Sequence, residues 1–384
     1  MLTNQINFKN FKINKNSPTV KKNFILLINS KNEILKSLSK NYKNNFTKNI
    51  TKKFKNLFNF RIIGMGGSVL GSQAIYDFLK IKIKKNFIFV NNLQNQKVKN
   101  NKTNYSNLVI SKSGNTIETI VNANILIKKN EKNIFITEKR NSYLYILAQK
   151  LKAEIIHHNN FIGGRYSVLS EVGMLPAELM GLNSSNFRQL NNLIKNKRFV
   201  NSLISNVSST IYFLKKKKFN SIIINYDESS ENFFKWYQQL IAESLGKKKR
   251  GLLPIISNMP KDNHSVMQLY LDGFQNNFFT FFYTNEKKSK KINSNLILPS
   301  QQYLKNKNLS QIIRAQKNAT ENVFKKKNIP FRSFEIKKRN EKTLGELFCF
   351  FILETILIGQ SMNLNPYDQP AVELIKKETK KILV

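Results

Sequence analysis

From residue 60 onwards, short uninterrupted apolar runs alternate with longer segments of helical periodicity. Strands that are buried on both faces consist of such apolar runs, and helices between successive strands are typical of parallel sheets. The predicted strands form two sets, at residues 60–63, 87–90, 108–110, 134–136 and 154–156, and then at residues 222–224, 252–256 and 278–283. The pattern predicts an α/β fold with two doubly wound domains, each with a parallel-rich sheet, and a C-terminal helical segment.

The boundaries of these units are predicted from changes in pattern along the chain. Residues 1–55 are polar and lack strong periodicity, so we expect an N-terminal arm or helices there. The first α/β domain is expected at residues 56–183, and a helical connection at residues 184–219. The second α/β domain follows at residues 220–363, and residues 364–384 are expected to form a C-terminal helix.

The formal net charge of +41 comes from 64 Lys and Arg residues against 23 Asp and Glu residues. Such a charge could serve to bind nucleic acid or an anionic membrane. A nucleic-acid site is usually a local basic patch, whereas the lysines here are spread over the whole chain. Compositional drift is therefore favoured, and neither a nucleic-acid nor a membrane partner is predicted. The charge would still attract an anionic substrate.

Cysteine content and apolar segments indicate where such a chain works. Cys349 is the single cysteine, so an intrachain disulfide or a thiolate metal cluster is excluded. The N-terminal residues have no apolar core of signal-peptide length. The most apolar stretch, residues 344–359, is interrupted by Glu346 and Glu354, which indicates a core helix rather than a membrane span. These features together predict a cytoplasmic protein.

A glycine-rich turn follows the first predicted strand, in the sequence RIIGMGGSVLG at residues 61–71. Glycines let a backbone approach a ligand closely, and the next helix N-terminus offers N–H groups to an anion. A dinucleotide fingerprint needs a third glycine where this chain has Val69, so a nicotinamide site is disfavoured. Gly67 and Ser68 are the candidate ligand contacts, and a tight structural turn is the alternative.

The third predicted strand runs into a hydroxyl-rich loop, SKSGNT, at residues 111–116. Hydroxyls and backbone N–H groups at a helix N-terminus suit a phosphate dianion. Asn115 and Glu118 have capping-box spacing, which predicts Asn115 as the helix cap. The loop lacks the GK[ST] ending of ATP-binding loops, so a phosphorylated metabolite is favoured over ATP. An ordinary Ser- and Thr-rich loop is the alternative.

Two segments carry groups that suit acid–base chemistry. Arg165 directly follows a Gly-Gly pair, and a guanidinium presented by such a turn could stabilise an oxyanion. A structural ion pair is the alternative for Arg165. Gln239 and Glu243 lie four residues apart on one flank of an apolar helical stripe. Partial desolvation there would suit a general base, and a solvent-facing Glu243 is the alternative.

Histidines are scarce, and one of them is a candidate acid–base group. His264 lies two residues after Asp262 and could transfer protons, although a structural histidine is nearly as plausible. His157 and His158 are adjacent and make a poor metal pair, so no metal site is predicted. Near the C-terminus, Gln369 and Lys376 are seven apart and would share a face if one helix held both.

In this order, the segments resemble the phosphoglucose isomerase family, which is built from two sugar-isomerase domains. The resemblance spans residues 60–383, and its most specific pieces are GGRYSVLSEVGMLP, QQLIAESLGK and DNHSVMQLYLDG. The chain departs from many members at Val69, where they have Asp, and at Pro370 and Ala371, where a Trp-Gly pair is common. The agreement of six ordered segments outweighs the separate structural alternatives for each one.

The resemblance implies a role for every candidate residue. Glu243 would carry a proton between C2 and C1, and Arg165 would stabilise the enediolate. His264 and Lys376 would open the sugar ring. The remaining candidates would bind the substrate, with Gln239 and Gln369 at the sugar and the others at the phosphate: Gly67, Ser68, Ser111, Lys112, Ser113 and Thr116.

The implied reaction converts glucose 6-phosphate and fructose 6-phosphate reversibly through a cis-enediol, without a cofactor. The family supplies the histidine equivalent to His264 from the neighbouring subunit, which implies a homodimer with shared active sites. The C-terminal helix would complete each site. Two alternatives stay open: a broader aldose–ketose isomerase that also accepts mannose 6-phosphate, and a non-catalytic regulator that binds a sugar phosphate.

Overall fold

The computed structural model describes residues 1–13, 16–93, 104–128, 130–286 and 289–384. Within these ranges, ten strands form two five-stranded sheets. The strands are β1 (Ile6–Lys9), β2 (Asn59–Gly64), β3 (Asn86–Val90), β4 (Ser106–Ile110), β5 (Asn133–Thr137), β6 (Glu154–His157), β7 (Asn220–Asn225), β8 (Leu253–Asn258), β9 (Asn277–Thr284) and β10 (Phe331–Ile336).

Helices lie between and after these strands. The first seven are α1 (Pro18–Asn29), α2 (Glu33–Ser37), α3 (Lys48–Lys53), α4 (Leu70–Phe78), α5 (Ile117–Leu126), α6 (Tyr143–Lys150) and α7 (Glu171–Leu179). The next seven are α8 (Leu190–Leu193), α9 (Lys197–Lys215), α10 (Glu231–Leu245), α11 (Met267–Asp272), α12 (Leu309–Lys326), α13 (Glu341–Ser361) and α14 (Val372–Leu383).

The first sheet has the strand order β3-β2-β4-β5-β6, and every neighbouring pair is parallel. Its central strands β4 and β5 are buried at every residue, as expected for strands covered on both faces. Because the strands are parallel, their carboxyl ends meet along one edge, where ligands bind in open α/β sheets. The turns after β2, β4 and β5 therefore lie close together.

The second sheet has the order β1-β10-β9-β7-β8. Strands β7 to β10 pair in parallel, whereas β1 runs antiparallel to β10, with Ile6 opposite Ile336. The predicted α/β class with parallel-rich sheets and a C-terminal helix is confirmed. Strands β1 and β10 were not predicted from the sequence, because β1 alternates apolar and polar residues and β10 contains the polar pair Arg332 and Ser333. The partition into domains stays a prediction.

Helix α13 is the apolar centre of the molecule. Residues 343–359 of this helix are all buried, and α1, α9 and α10 pack against it. In the described ranges it is the one helix long and apolar enough to cross a membrane, and 94% of its most apolar window is buried inside the protein. The predicted core helix at residues 344–359 is therefore confirmed.

A charged pair is buried where α13 meets the second sheet. Both guanidinium Nη atoms of Arg332 on β10 hydrogen-bond the carboxylate of Glu354 on α13, and both side chains are 1% exposed. Asn206 on α9 donates to Glu354 Oε1 at 2.6 Å and accepts from Arg332 Nη1 at 2.7 Å. Arg332 Nε donates to Thr280 Oγ1 at 2.8 Å. The pair therefore links α9, α13 and two strands.

Substituting Glu354→Gln should lower the free energy of unfolding by about 3–5 kcal/mol, because it leaves the buried Arg332 guanidinium without its counter-ion. Urea unfolding followed by circular dichroism measures this. The matched control is Glu378→Gln, which removes an exposed partner of Lys381 and should cost less than about 1 kcal/mol. Equal losses of stability in the two variants would contradict the assignment.

Candidate active site

A cleft of about 720 Å³ opens at the carboxyl ends of the first sheet's strands and extends to α10 and the C-terminal segment. Eleven of the twelve residues predicted for the site line it: Gly67, Ser68, Ser111, Lys112, Ser113, Thr116, Arg165, Gln239, Glu243, Gln369 and Lys376. Residues almost 310 positions apart in sequence thus meet at one place.

The glycine-rich turn is shaped mainly by contacts within the protein. Gly66 has a φ of +52°, and a Cβ atom there would lie 2.8 Å from the side-chain amide of Gln239. A Cβ atom on Gly67 would lie 2.2 Å from the carbonyl carbon of Gly164. The alternative of a tight structural turn therefore explains why positions 66 and 67 are glycines. Gly67 and Ser68 nevertheless line the cleft.

The hydroxyl-rich loop folds back on itself between β4 and α5. The Ser111 hydroxyl accepts from the Gly114 N–H at 3.2 Å and lies 3.0 Å from the Thr116 hydroxyl. The Ser113 hydroxyl accepts from the Asn115 N–H at 3.2 Å. These bonds fix the turn so that the loop faces the cleft.

Helix α5 begins at Ile117, and its N-cap is Thr116 rather than the predicted Asn115. Asn115 instead accepts a hydrogen bond from the Tyr143 N–H at 3.0 Å, so it ties the loop to α6. Among the described residues, no side chain caps the start of α5. Its first N–H groups are thus left for an anion in the cleft.

Lys112, in the same loop, places a positive charge in the cleft. Its Nζ atom donates to the Asn160 carbonyl at 2.6 Å and lies 3.9 Å from the Glu138 carboxylate. Burial lowers the pKa of Lys112 below its usual value. The ammonium group is therefore partly desolvated, which strengthens its attraction for an anion.

Arg165 is 2% exposed and lines the cleft. Its Nη1 atom is 3.3 Å from Glu243 Oε1. Its other acceptors are Ser244 Oγ for Nε (2.7 Å), Gln369 Oε1 for Nη1 (2.7 Å), and the carbonyl oxygens of Pro366 and Asp368 for Nη2 (2.7 and 3.0 Å). Four of the five guanidinium N–H groups thus donate to acceptors in the protein, and Glu243 is an ion-pair partner of Nη1.

Glu243 lies between Arg165 and Gln239. Its side chain is 21% exposed, and Oε2 accepts from Gln239 Nε2 at 2.8 Å. The predicted neighbouring position of Gln239 and Glu243 on one helix flank is what the structure has, and Glu243 faces the cleft rather than open solvent. The buried Gln239 Oε1 has no hydrogen-bond partner among the described residues, so it can accept from a bound ligand.

The C-terminal segment contributes two residues from different elements. Gln369 precedes α14, whereas Lys376 lies within it, so the two do not share a helix as the spacing would have allowed. Lys376 is exposed and its Nζ is 2.6 Å from Glu373 Oε1. Both Gln369 and Lys376 still line the cleft, because the turn before α14 bends toward Arg165.

His264 is the predicted residue that the cleft does not include. It ends the short 3₁₀ helix Lys261–His264, after β8, and is exposed. A second cavity of about 950 Å³ shares Gln239, Glu243 and Gln369 with the cleft, so Glu243 can be reached from a second side. In the described ranges, no three His, Cys, Asp or Glu side chains are grouped as metal ligands would be.

Comparison with known proteins identifies the family. The sequence model of phosphoglucose isomerase matches residues 14–384. The chain belongs to the phosphoglucose isomerase family. It is 34% identical to the glucose-6-phosphate isomerase of Methanocaldococcus jannaschii, over 83% of this chain and 82% of that protein. It is 31% identical to the glucose-6-phosphate isomerase of Campylobacter jejuni, over 85% of each.

Solved structures agree with the fold of the phosphoglucose isomerase family. A hypothetical protein from Thermus thermophilus has a TM-score of 0.81 with 20% identity, over 95% of this chain and 94% of that chain. A glucose-6-phosphate isomerase from Chlamydia trachomatis has a TM-score of 0.71 with 19% identity, over 91% of this chain and 73% of that chain.

In this member of the phosphoglucose isomerase family, several cleft residues were not predicted from the sequence. They include Lys31, Asn32, Glu33, Glu138, Arg140 and Tyr367. Asn32 donates to the Tyr367 hydroxyl at 3.1 Å, so the N-terminal segment supports the C-terminal one. Glu138 and Arg140 could have been found, because they directly follow a predicted parallel strand at the edge where ligands bind.

Substituting Gly67→Ala should lower stability by roughly 1–3 kcal/mol and reduce ligand affinity, because the added methyl group would overlap the Gly164 backbone. Thermal unfolding with and without a sugar phosphate measures both effects. In the control Gly163→Ala the nearest atom is 3.9 Å from the new Cβ, so stability should change by less than about 0.5 kcal/mol. A wild-type melting temperature for Gly67→Ala would contradict the packing.

Proposed function

We propose that this chain isomerises glucose 6-phosphate and fructose 6-phosphate reversibly through a cis-enediol intermediate. The observation that carries the proposal is the pairing of Glu243 with Arg165 at 3.3 Å in a cleft that is also lined by a hydroxyl-rich loop at a helix N-terminus. A base, an oxyanion partner and an anion site are the groups that this reaction needs.

The phosphate end of the substrate would bind at the start of α5. The uncapped N–H groups of α5, the loop 111–116 and the Lys112 ammonium group form one wall of the cleft. A helix N-terminus carries a partial positive charge, which favours a phosphate there. Binding energy from this non-reacting end would hold C1 and C2 near Glu243.

Proton transfer at the other end follows from the surroundings of Glu243. In the open-chain aldehyde, Glu243 would take the C2 proton while O1 gains negative charge, and Arg165 would stabilise that charge. Return of this proton to C1, with transfer of the O2 proton to O1, would give the ketose. General acid–base catalysis of this kind contributes on the order of 10²–10⁴ in rate.

An enediolate oxygen would have to compete for Arg165. Four of the five N–H groups already donate to acceptors in the protein, and Glu243 Oε1 lies 3.3 Å from Nη1, so the oxygen would displace Gln369 Oε1 or Glu243 Oε1 at Nη1. Both are side-chain atoms that can rotate away, whereas the acceptors of Nη2 are backbone carbonyls. Nη1 is therefore the donor that we assign to the substrate.

Ring opening would use Lys376 together with His264 of a second copy. His264 is exposed and lies outside its own chain's cleft, while Glu243 can be reached from a second cavity. A homodimer in which each copy gives its His264 to the other copy's site accounts for both facts. Since hexose phosphates are charged metabolites of the cell interior, we place this dimer in the cytoplasm, without a nucleic-acid or membrane partner.

Substituting Glu243→Gln should lower kcat by about 10²–10⁴ while the Kd for a hexitol 6-phosphate changes little, because the amide keeps its shape but cannot accept the C2 proton. A coupled assay of fructose 6-phosphate conversion measures turnover, and calorimetry measures binding. Glu228→Gln, an exposed acid just before α10, is the matched control and should retain wild-type turnover. Near-normal turnover in Glu243→Gln would remove this residue from the base role.

Mixing Glu243→Gln with His264→Ala should restore activity, because a mixed dimer holds one site with both native residues. With random exchange of subunits, about a quarter of wild-type activity is expected, since half of the dimers are mixed and each has one good site. The measurement is the coupled assay after co-refolding. If the mixture stays as inactive as the separate variants, the proposal that each active site uses His264 of the other copy is contradicted.

A further inference from the structure

We propose that Arg140 is a second cationic ligand of the substrate phosphate, acting beside Lys112. This inference rests on the proposed function, because it places the phosphate at the loop 111–116. It adds a residue that neither the motifs nor the resemblance had assigned.

Arg140 lies where such a ligand would be needed. It follows β5 by three residues and lines the cleft together with Lys112 and Ser113. Its Nη2 atom donates to the Ser113 carbonyl at 3.2 Å, and its Nε atom is 3.0 Å from Glu138 Oε2. The Arg140 guanidinium thus contacts the loop 111–116 directly, although its side chain is 53% exposed.

Some N–H groups of Arg140 have no acceptor among the described residues. A guanidinium has five N–H groups, and the two contacts above use two of them. Among the described residues, no hydrogen-bond partner lies at Nη1. In contrast, Lys112 already donates to the Asn160 carbonyl. Free N–H groups on a planar fork suit two oxygens of one phosphate.

The charges around the loop 111–116 also favour a second cationic ligand. A phosphate monoester carries about −1.5 to −2 charges near neutral pH, more than one ammonium group can balance. Glu138 lies between Lys112 and Arg140, 3.9 Å and 3.0 Å from their nitrogens, and its side chain is mostly buried. One carboxylate between two cations holds them side by side and leaves a net positive charge. Without Arg140, Glu138 would neutralise Lys112 and leave no such charge.

The test compares Arg140→Gln with Lys139→Gln. Lys139 is the adjacent residue, is exposed and does not line the cleft, so both variants lose one positive charge at nearly the same place. Arg140→Gln should raise the KM for fructose 6-phosphate and the Kd for inorganic phosphate about tenfold, with kcat within about twofold of wild type. Lys139→Gln should change all three by less than about twofold.

Two results would overturn the proposal. Equal weakening of phosphate binding in both variants would mean that Arg140 acts only through overall charge. A fall in kcat as large as the rise in KM, with the Kd for phosphate unchanged, would mean that Arg140 only supports the loop. Calorimetry with inorganic phosphate needs no turnover, so a wild-type chain that binds phosphate through Arg140 without isomerising sugars would reject the proposed function and keep this inference.

Discussion

The Arg165 guanidinium is the group on which the cleft depends. It is buried, and its acceptors come from α10 and from the segment just before α14, while Arg165 itself follows the first sheet. A buried guanidinium without acceptors would cost several kcal/mol, so the three segments must meet for the chain to fold around it. The same bonds set Glu243 at 3.3 Å from Arg165 and bring the C-terminal turn to the cleft. The hydrogen bonds that bury Arg165 during folding are therefore the same ones that assemble the site.

The electrostatics of the cleft are local, in spite of the net charge of +41. Four cations that line the cleft have a carboxylate nearby: Lys112 and Arg140 have Glu138, Arg165 has Glu243, and Lys376 has Glu373. Such pairing fixes the geometry of the positive groups more than it adds attraction. The scattered surface lysines would raise the local concentration of anionic substrate, and the paired cations would orient it.

Eight of the nine parallel strands of the two sheets were predicted from the sequence, because each is a short apolar run between segments of helical periodicity. The ninth, β10, was missed because Arg332 in that strand looks like a surface residue, and only the distant Glu354 makes its burial possible. Eleven cleft residues were predicted from short motifs and the family resemblance, because each lies in a contiguous segment, whether a loop or one of the helices α10 and α14. Glu33 was missed because nothing near it in sequence shows that α2 reaches the cleft. His264 was predicted from a motif in the sequence, but it does not line the cleft of its own chain.

The most direct measurement is a crystal structure with a five-carbon aldonate 5-phosphate, whose carboxylate has the shape and charge of the enediolate. The account predicts its phosphate at the N-terminus of α5, and its carboxylate within hydrogen-bonding distance, about 3 Å, of Arg165 Nη1 and beside Glu243. A ligand whose phosphate lies away from residues 111–116, or whose carboxylate contacts neither Arg165 nor Glu243, would contradict the account.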